Sequence, residues 1–232
     1  MTRSVLFDFD GTLIDTWRLY LESFRRSLEP HFNRLLTDAE ILAYQPSAER
    51  RLFSRVIENG NVGGYFESFL AHYRALHETH NEGLYPGVRD MLGSLRAQGC
   101  RLGIVTGKSR AAWNLTFAAT GLPAFDVVIT DDDVAHPKPH PEGLLAALQT
   151  VPATPDDTLY VGDSLLDCQA AHAAGMPFGA ALWAKTAHEQ EIFRAAADQV
   201  AVAGYFAHPS MIPAALHAHL RQEGCRSGAT HA

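Results

Sequence analysis

Short apolar runs that stop at a glycine or an aspartate recur along this chain, and helix-length segments separate most of them. The first, from Ser4 to Phe9, holds Val5, Leu6, Phe7 and Phe9 and ends at Asp10-Gly11. Others span 101–106, ending at Gly107, 126–130, followed by three aspartates, and 158–161, ending at Gly162-Asp163. Two more fall at 178–183 and 200–202. Apolar runs of this length, bounded by turn residues, read as buried strands. Between them, 88–98 stops at Gly99, 109–120 runs to Gly121, 141–149 opens with Pro141 in the first turn, and 165–174 ends at Gly175. Proline at the start and glycine past the end are helix punctuation. Strand and helix in alternation imply an α/β chain with a mostly parallel sheet covered on both faces.

One stretch breaks the alternation. From 16 to 82 the pattern is helical, with no convincing strand. Thr37 with Glu40 forms a capping box, Ser47 is placed to cap a helix reaching Glu58, and Tyr65 to His77 is a long amphipathic segment. A connection of that length is too long for a loop. The expected organisation is a Rossmann-like core over 1–15 and 83–224, a helical cap domain over 16–82, and a disordered tail over 225–232. Tyr85-Pro86-Gly87 is the expected hinge.

The chain has 232 residues and a net charge of −7, which argues against a nucleic-acid partner. No apolar run reaches the roughly 18 residues of a membrane helix. The N-terminus does not read as a signal peptide, so a cytoplasmic location is expected. Cys100, Cys168 and Cys225 are widely spaced and make neither a metal pattern nor a disulfide frame. No histidine shows metal-ligand spacing, and His136 and His140 read as surface residues. Lysine occurs only at Lys108, Lys138 and Lys185, so each one near a motif carries weight.

In an open parallel sheet, ligands sit at the carboxyl ends of the strands. The residues expected there are Asp8, Asp10, Thr106, Gly107, Asp131 to Asp133, and Gly162 to Asp167. Asp8 and Asp10 are two apart, so in extended chain they face the same way. Like charges that close disfavour double ionisation, which a divalent cation relieves. An oxygen-only ligand set suits Mg²⁺. Asp163 can add a ligand, and Asp167 lies one helical turn later on the same side. Thr106 and Gly107 can hold phosphate oxygens. Lys108 points to the same phosphate or to solvent. Lys138, bracketed by prolines, fixes a positive charge near the aspartates.

These segments together resemble the haloacid dehalogenase superfamily, in its phosphatase branch with a helical cap after the first strand, and within it phosphoglycolate phosphatase-like proteins. The motifs are Asp8-Phe9-Asp10-Gly11-Thr12-Leu13, Thr106-Gly107, Lys138-Pro139, and Gly162-Asp163-Ser164 with Asp167. The resemblance implies that Asp8 is a nucleophile that becomes phosphorylated and that Asp10 is the general acid–base. It implies Mg²⁺ held by Asp8, Asp10 through its backbone carbonyl, Asp163 and Asp167. Thr106 and Lys138 match the phosphate-binding and charge-balancing positions.

The implied reaction is hydrolysis of a small phosphorylated metabolite, such as 2-phosphoglycolate, by a monomer or homodimer. Inorganic pyrophosphatase is the main alternative. A mutase like β-phosphoglucomutase is a second, although such proteins usually carry an acidic residue where Gly162 stands. Among the cap arginines Arg18, Arg25, Arg26, Arg34, Arg50, Arg51 and Arg55, Arg18 is the first candidate for a substrate contact.

Overall fold

The computed structural model describes residues 4–44, 48–57, 60–197, 200 and 202–216. Six strands form the main sheet: β1 (Ser4–Phe7), β4 (Arg101–Val105), β5 (Val127–Ile129), β6 (Thr158–Gly162), β7 (Phe178–Ala181) and β8 (Gly204–Phe206). Two shorter strands, β2 (Ile14–Asp15) and β3 (Gly83–Leu84), pair antiparallel apart from it. The sheet order is β5-β4-β1-β6-β7-β8, and every neighbouring pair is parallel. β1 therefore sits between β4 and β6, where the strand order reverses. In such sheets the crevice at the carboxyl ends beside that point is where ligands bind.

β1 shows why a parallel strand must be apolar on both faces. Val5 and Phe7 enter one core cluster, and Leu6 enters the other. The first cluster takes Val88, Met91, Leu92 and Leu95 from α5 (Val88–Ala97) and Trp113 from α6 (Arg110–Thr120). The second takes residues of α7 (Glu142–Thr150), α8 (Leu165–Ala173) and α9 (Ala187–Ala196). Pro141 stands at the N-cap of α7 rather than inside its first turn. Gly121 ends α6 in the left-handed region that glycine enters without a Cβ penalty.

Between β2 and β3 the described residues form four helices: α1 (Trp17–Phe32), α2 (Asp38–Ala43), α3 (Glu49–Val56) and α4 (Val62–His80). They carry their own core, with Leu19, Phe24 and Leu28 from α1, Phe53 from α3, and Phe66, Phe69 and Tyr73 from α4. The Phe24 and Phe69 rings lie 4.6 Å apart. The capping box of Thr37 and Glu40 is present at α2. The sequence reading did not separate α1 from its surroundings, and α4 is longer than the expected 65–77. Ala48 is the N-cap of α3; Ser47 lies outside the described residues, as does the tail at 225–232. The expected hinge at Tyr85-Pro86-Gly87 follows directly on the β2–β3 pair, in which Ile14 faces Leu84 and Asp15 faces Gly83.

The sixth strand is displaced from its expected place at 200–202. Register with β7 decides its position: Gly179 pairs with Gly204 and Ala181 with Phe206. A Cβ on either glycine would lie 2.8 Å from the Phe206 ring, so the two glycines open the space that the ring fills. Val200 and Val202 pack against the second core cluster instead.

Candidate active site

Asp8 directly follows β1, and its amide donates to the Val161 carbonyl of β6 at 2.8 Å. Its position is thus fixed by the two strands at the reversal of the sheet. The residue is 8% exposed. Asp163 and Asp167 approach from the end of β6 and the first turn of α8. One carboxylate oxygen from each of Asp8, Asp163 and Asp167 lies within 4.8 Å of the others. Two glycines allow the approach. A Cβ at Gly11 would stand 2.8 Å from Asp163, and one at Gly162 would stand 2.5 Å from Asp167. The donor set is oxygen only and half or fully buried, which fits a hard divalent cation.

Asp167 serves two purposes. Its backbone amide and carboxylate complete a capping box with Ser164 at the start of α8. Its other oxygen accepts from Tyr160 Oη at 2.8 Å and from Lys138 Nζ at 2.6 Å. Lys138 also reaches Asp8 Oδ1 at 3.0 Å. Burial raises the Asp8 carboxyl to about 8, against the pull of Lys138. Burial also works to raise Asp167, but Lys138, Ser164 and Tyr160 outweigh it and hold that carboxyl below its ordinary value. For Lys138 itself burial pulls downward, and Asp167 and Asp8 reverse this, so the ammonium stays charged.

Asp10 points to a different partner. Lys108 Nζ donates to both of its carboxylate oxygens, at 2.9 and 3.0 Å, and the Thr16 hydroxyl donates to Oδ1. The carboxylate of Asp10 therefore stands apart from the trio of Asp8, Asp163 and Asp167. Lys108 is 3% exposed. It is directed neither to solvent nor away from the site. Burial lowers its affinity for a proton, and Asp10, Tyr73 and Glu49 more than restore it. Its ammonium also faces the rings of Tyr73 and Tyr20, at 5.0 and 5.7 Å. Those tyrosines belong to α4 and α1, so the helical insertion closes over this lysine. Thr106 is buried at the end of β4, and its hydroxyl accepts from the Lys108 amide at 3.2 Å. Gly107 lies between them.

Three residues escaped the sequence reading. Lys185 donates to Asp163 Oδ2 at 2.9 Å. All three lysines of the chain thus face the four aspartates of the site. That scarcity was the available signal, together with the place of Lys185 just past β7. Glu49 of α3 is fully buried, and its Oε2 accepts from the Ser109 amide at 2.7 Å. Nothing in its sequence context distinguishes it from the surface glutamates of the insertion. Tyr160, the third, sits mid-strand and reads as core.

Arg18 is not brought to the site. Its side chain is 65% exposed and lies 3.8 Å from Glu82. The histidine reading also changes. His136 and His140 are exposed as expected, yet with Glu142 they place ligand-type atoms within 4.8 Å of one another. Cys168 is buried in the second core cluster, as a packing residue would be.

The chain is similar to known proteins in sequence and in fold. Residues 5–181 match the model of the haloacid dehalogenase-like hydrolases. The protein named pyrophosphatase PpaX from Anoxybacillus flavithermus is 38% identical over 184 residues, 78% of this chain and 83% of its own length. PpaX from Bacillus thuringiensis (strain Al Hakam) is 35% identical over the same shares. Among solved structures, a candidate phosphoglycolate phosphatase from Lactobacillus plantarum is 29% identical with a TM-score of 0.71, covering 93% of this chain and 100% of that one. CbbY from Rhodobacter sphaeroides in complex with phosphate shares the fold, at 24% identity and a TM-score of 0.70 over 78% of this chain and 86% of that one. The six-stranded parallel sheet, the aspartates at its reversal point and the match over most of the chain lead to one conclusion: the chain belongs to the haloacid dehalogenase-like hydrolase family.

Proposed function

We propose that this chain is a phosphatase in which Asp8 attacks phosphorus and Asp10 moves the protons, with the helical insertion acting as a cap. The observation that carries the reading is the division of labour between the two carboxylates. Asp8 lies with Asp163, Asp167 and Lys138, where an anionic phosphoryl group needs positive charge. Asp10 lies with Lys108 and Thr16, on the side of the insertion. A nucleophile and a general acid–base in separate environments are what two-step transfer through an acyl phosphate requires.

Asp8, Asp163 and Asp167 would hold Mg²⁺, with the backbone carbonyl of Asp10 as a further ligand. When bound, the cation offsets the repulsion between an anionic nucleophile and an anionic substrate. Lys138 balances Asp8 and spreads positive charge toward the transferring group. Thr106 and the Gly107 amide would face the phosphoryl oxygens, since the next two amides are taken by the Thr106 hydroxyl and by Glu49. Asp10 protonates the leaving oxygen and then takes a proton from the water that releases phosphate from Asp8. Lys108 holds the Asp10 carboxylate in place for both steps.

Pyrophosphate is the first substrate to test. The two PpaX relatives carry that activity in their names. The insertion's arginines do not separate pyrophosphate from 2-phosphoglycolate. Arg25, Arg26, Arg34 and Arg51 are engaged by Glu22, Asp38, Glu40 and Asp131, and Arg50 lies over the Phe66 ring. Their engagement bears equally on an anionic phosphate and on a leaving group that carries a carboxylate, as glycolate does. A small monoester such as 2-phosphoglycolate is the second reading, favoured by the Lactobacillus plantarum neighbour. A mutase role has less support, because a side chain at Gly162 would collide with Asp167.

Phosphate release from pyrophosphate, 2-phosphoglycolate, sugar phosphates and a nucleoside monophosphate, with Mg²⁺ and with chelator, tests both levels. The expected result is chelator-sensitive release with pyrophosphate ~10²-fold or more ahead in kcat/KM, a gap of about 2.7 kcal/mol. A lead for 2-phosphoglycolate would reverse the substrate order. Release that persists in chelator would remove the metal-assisted mechanism.

A further inference from the structure

The first turn of α3 carries two charged side chains that both leave the insertion and reach the sheet. Glu49 accepts the amide of Ser109, the residue after Lys108. Arg51 Nε donates to both carboxylate oxygens of Asp131, at 2.9 and 3.1 Å. Its Nη2 donates to the carbonyls of Val134 and Ala135, at 3.2 and 3.3 Å. The Asp131 amide in turn donates to the Lys108 carbonyl at 3.1 Å. Val134 and Ala135 lead directly into His136, Pro137 and Lys138. One guanidinium thus grips the segment that carries Lys138 and, through Asp131, the segment that carries Lys108.

This arrangement answers what Arg51 is for. A planar fork that spends both its Nε and its Nη2 on the sheet side has its orientation set by the sheet and keeps only Nη1 for any other partner. The bonds are charge-assisted at Asp131, whose carboxylate side chain is only 11% exposed. The insertion is tied in through the β2–β3 pair, and the contacts of α3, like those of Tyr73 with Thr116 and Lys108, register whether it is seated.

We propose that Arg51 is a positioning residue: seating of the insertion lets it hold 131–135, which aligns Lys138 on Asp8 and Lys108 on Asp10. The step at phosphorus then becomes dependent on closure. This inference rests on the reading of Asp8 and Asp10 as the reacting pair. Its physical content is that small misplacements of charge-balancing groups cost rate rather than affinity.

Arg51→Ala, Arg51→Lys, Asp131→Asn and the double variant Arg51→Ala with Asp131→Asn test it. Steady-state kinetics on the best substrate would be paired with amide hydrogen exchange across 131–138. The expected result for Arg51→Ala is a fall in kcat of about 10-fold or more with KM within about 3-fold. Exchange at 131–138 should quicken, Arg51→Lys should recover part of kcat, and the double variant should be no worse than the poorer single one. A raised KM with kcat retained would make Arg51 a substrate contact and overturn the proposal. Unchanged kcat and unchanged exchange would overturn it as well. Wild-type protein without phosphate release on any substrate would instead remove the phosphatase reading. The exchange result would then judge the grip of Arg51 by itself.

Discussion

Lys138 is the residue whose removal separates pairing from packing. It is buried between Asp8 and Asp167, with one oxygen of each within 3.0 Å. Breaking a buried pair by removing one partner costs about 3–5 kcal/mol, because the other charge stays buried. Lys138→Met should therefore lower Tm by roughly 6–20 °C in a chain of this size. Asp8→Asn should behave in the opposite way. It removes a carboxyl that burial already raises to about 8, so metal-free Tm should hold or rise while turnover falls about 10³-fold or more. Thermal melts of the two variants side by side check both statements. At this scale the sequence was informative wherever a residue type is costly to bury. Asp8, Asp163, Asp167 and Lys138 were legible because acids and lysines at strand ends need a reason. Glu49 was not, because its burial depends on how α3 meets Ser109, which no local pattern encodes.

Elements were legible where their ends carry chemistry. The box of Thr37 and Glu40 marks α2, and Gly121 marks the end of α6. Thr37→Ala should cost about 1 kcal/mol, read as a modest loss in chemical denaturation. α1 was missed as a separate helix because no side chain caps its start, and Pro30 sits in its last turn. The sixth strand was misplaced because its register is set across the sheet by Phe206 over two glycines. α3 has a pH signature of its own. Burial raises the Glu49 carboxyl to about 7, with Lys108 opposing. The folded state thus retains a proton that an unfolded chain releases above its ordinary value of 4.5. The stability that this proton contributes is complete below that value and is lost as pH rises toward 7. Glu49→Gln removes the dependence, so its Tm relative to wild type should climb between pH 5 and pH 8, on the order of the shift itself. A flat difference would mean that the Glu49 carboxyl is not raised in the folded state.

The whole molecule shows one theme, the assembly of charge at the reversal of a sheet. Four aspartates and all three lysines converge there from the ends of β1, β4, β6 and β7 and the loop before α7. The alternation of strands and helices made the sheet legible, and the long helical stretch made the insertion legible. How the insertion sits on the sheet was not legible. That arrangement depends on Glu49, Arg51 and the tyrosines over Lys108, residues that carry no motif. Among the described residues, no helix is long and apolar enough to cross a membrane. The most direct test of the central claim is an acid quench of the enzyme during turnover with Mg²⁺ and its best substrate, followed by peptide mass analysis. The phosphoryl group should be found on Asp8, and Asp8→Asn should neither carry it nor release phosphate. A phosphoryl group on another residue, or full turnover by Asp8→Asn, would contradict the account.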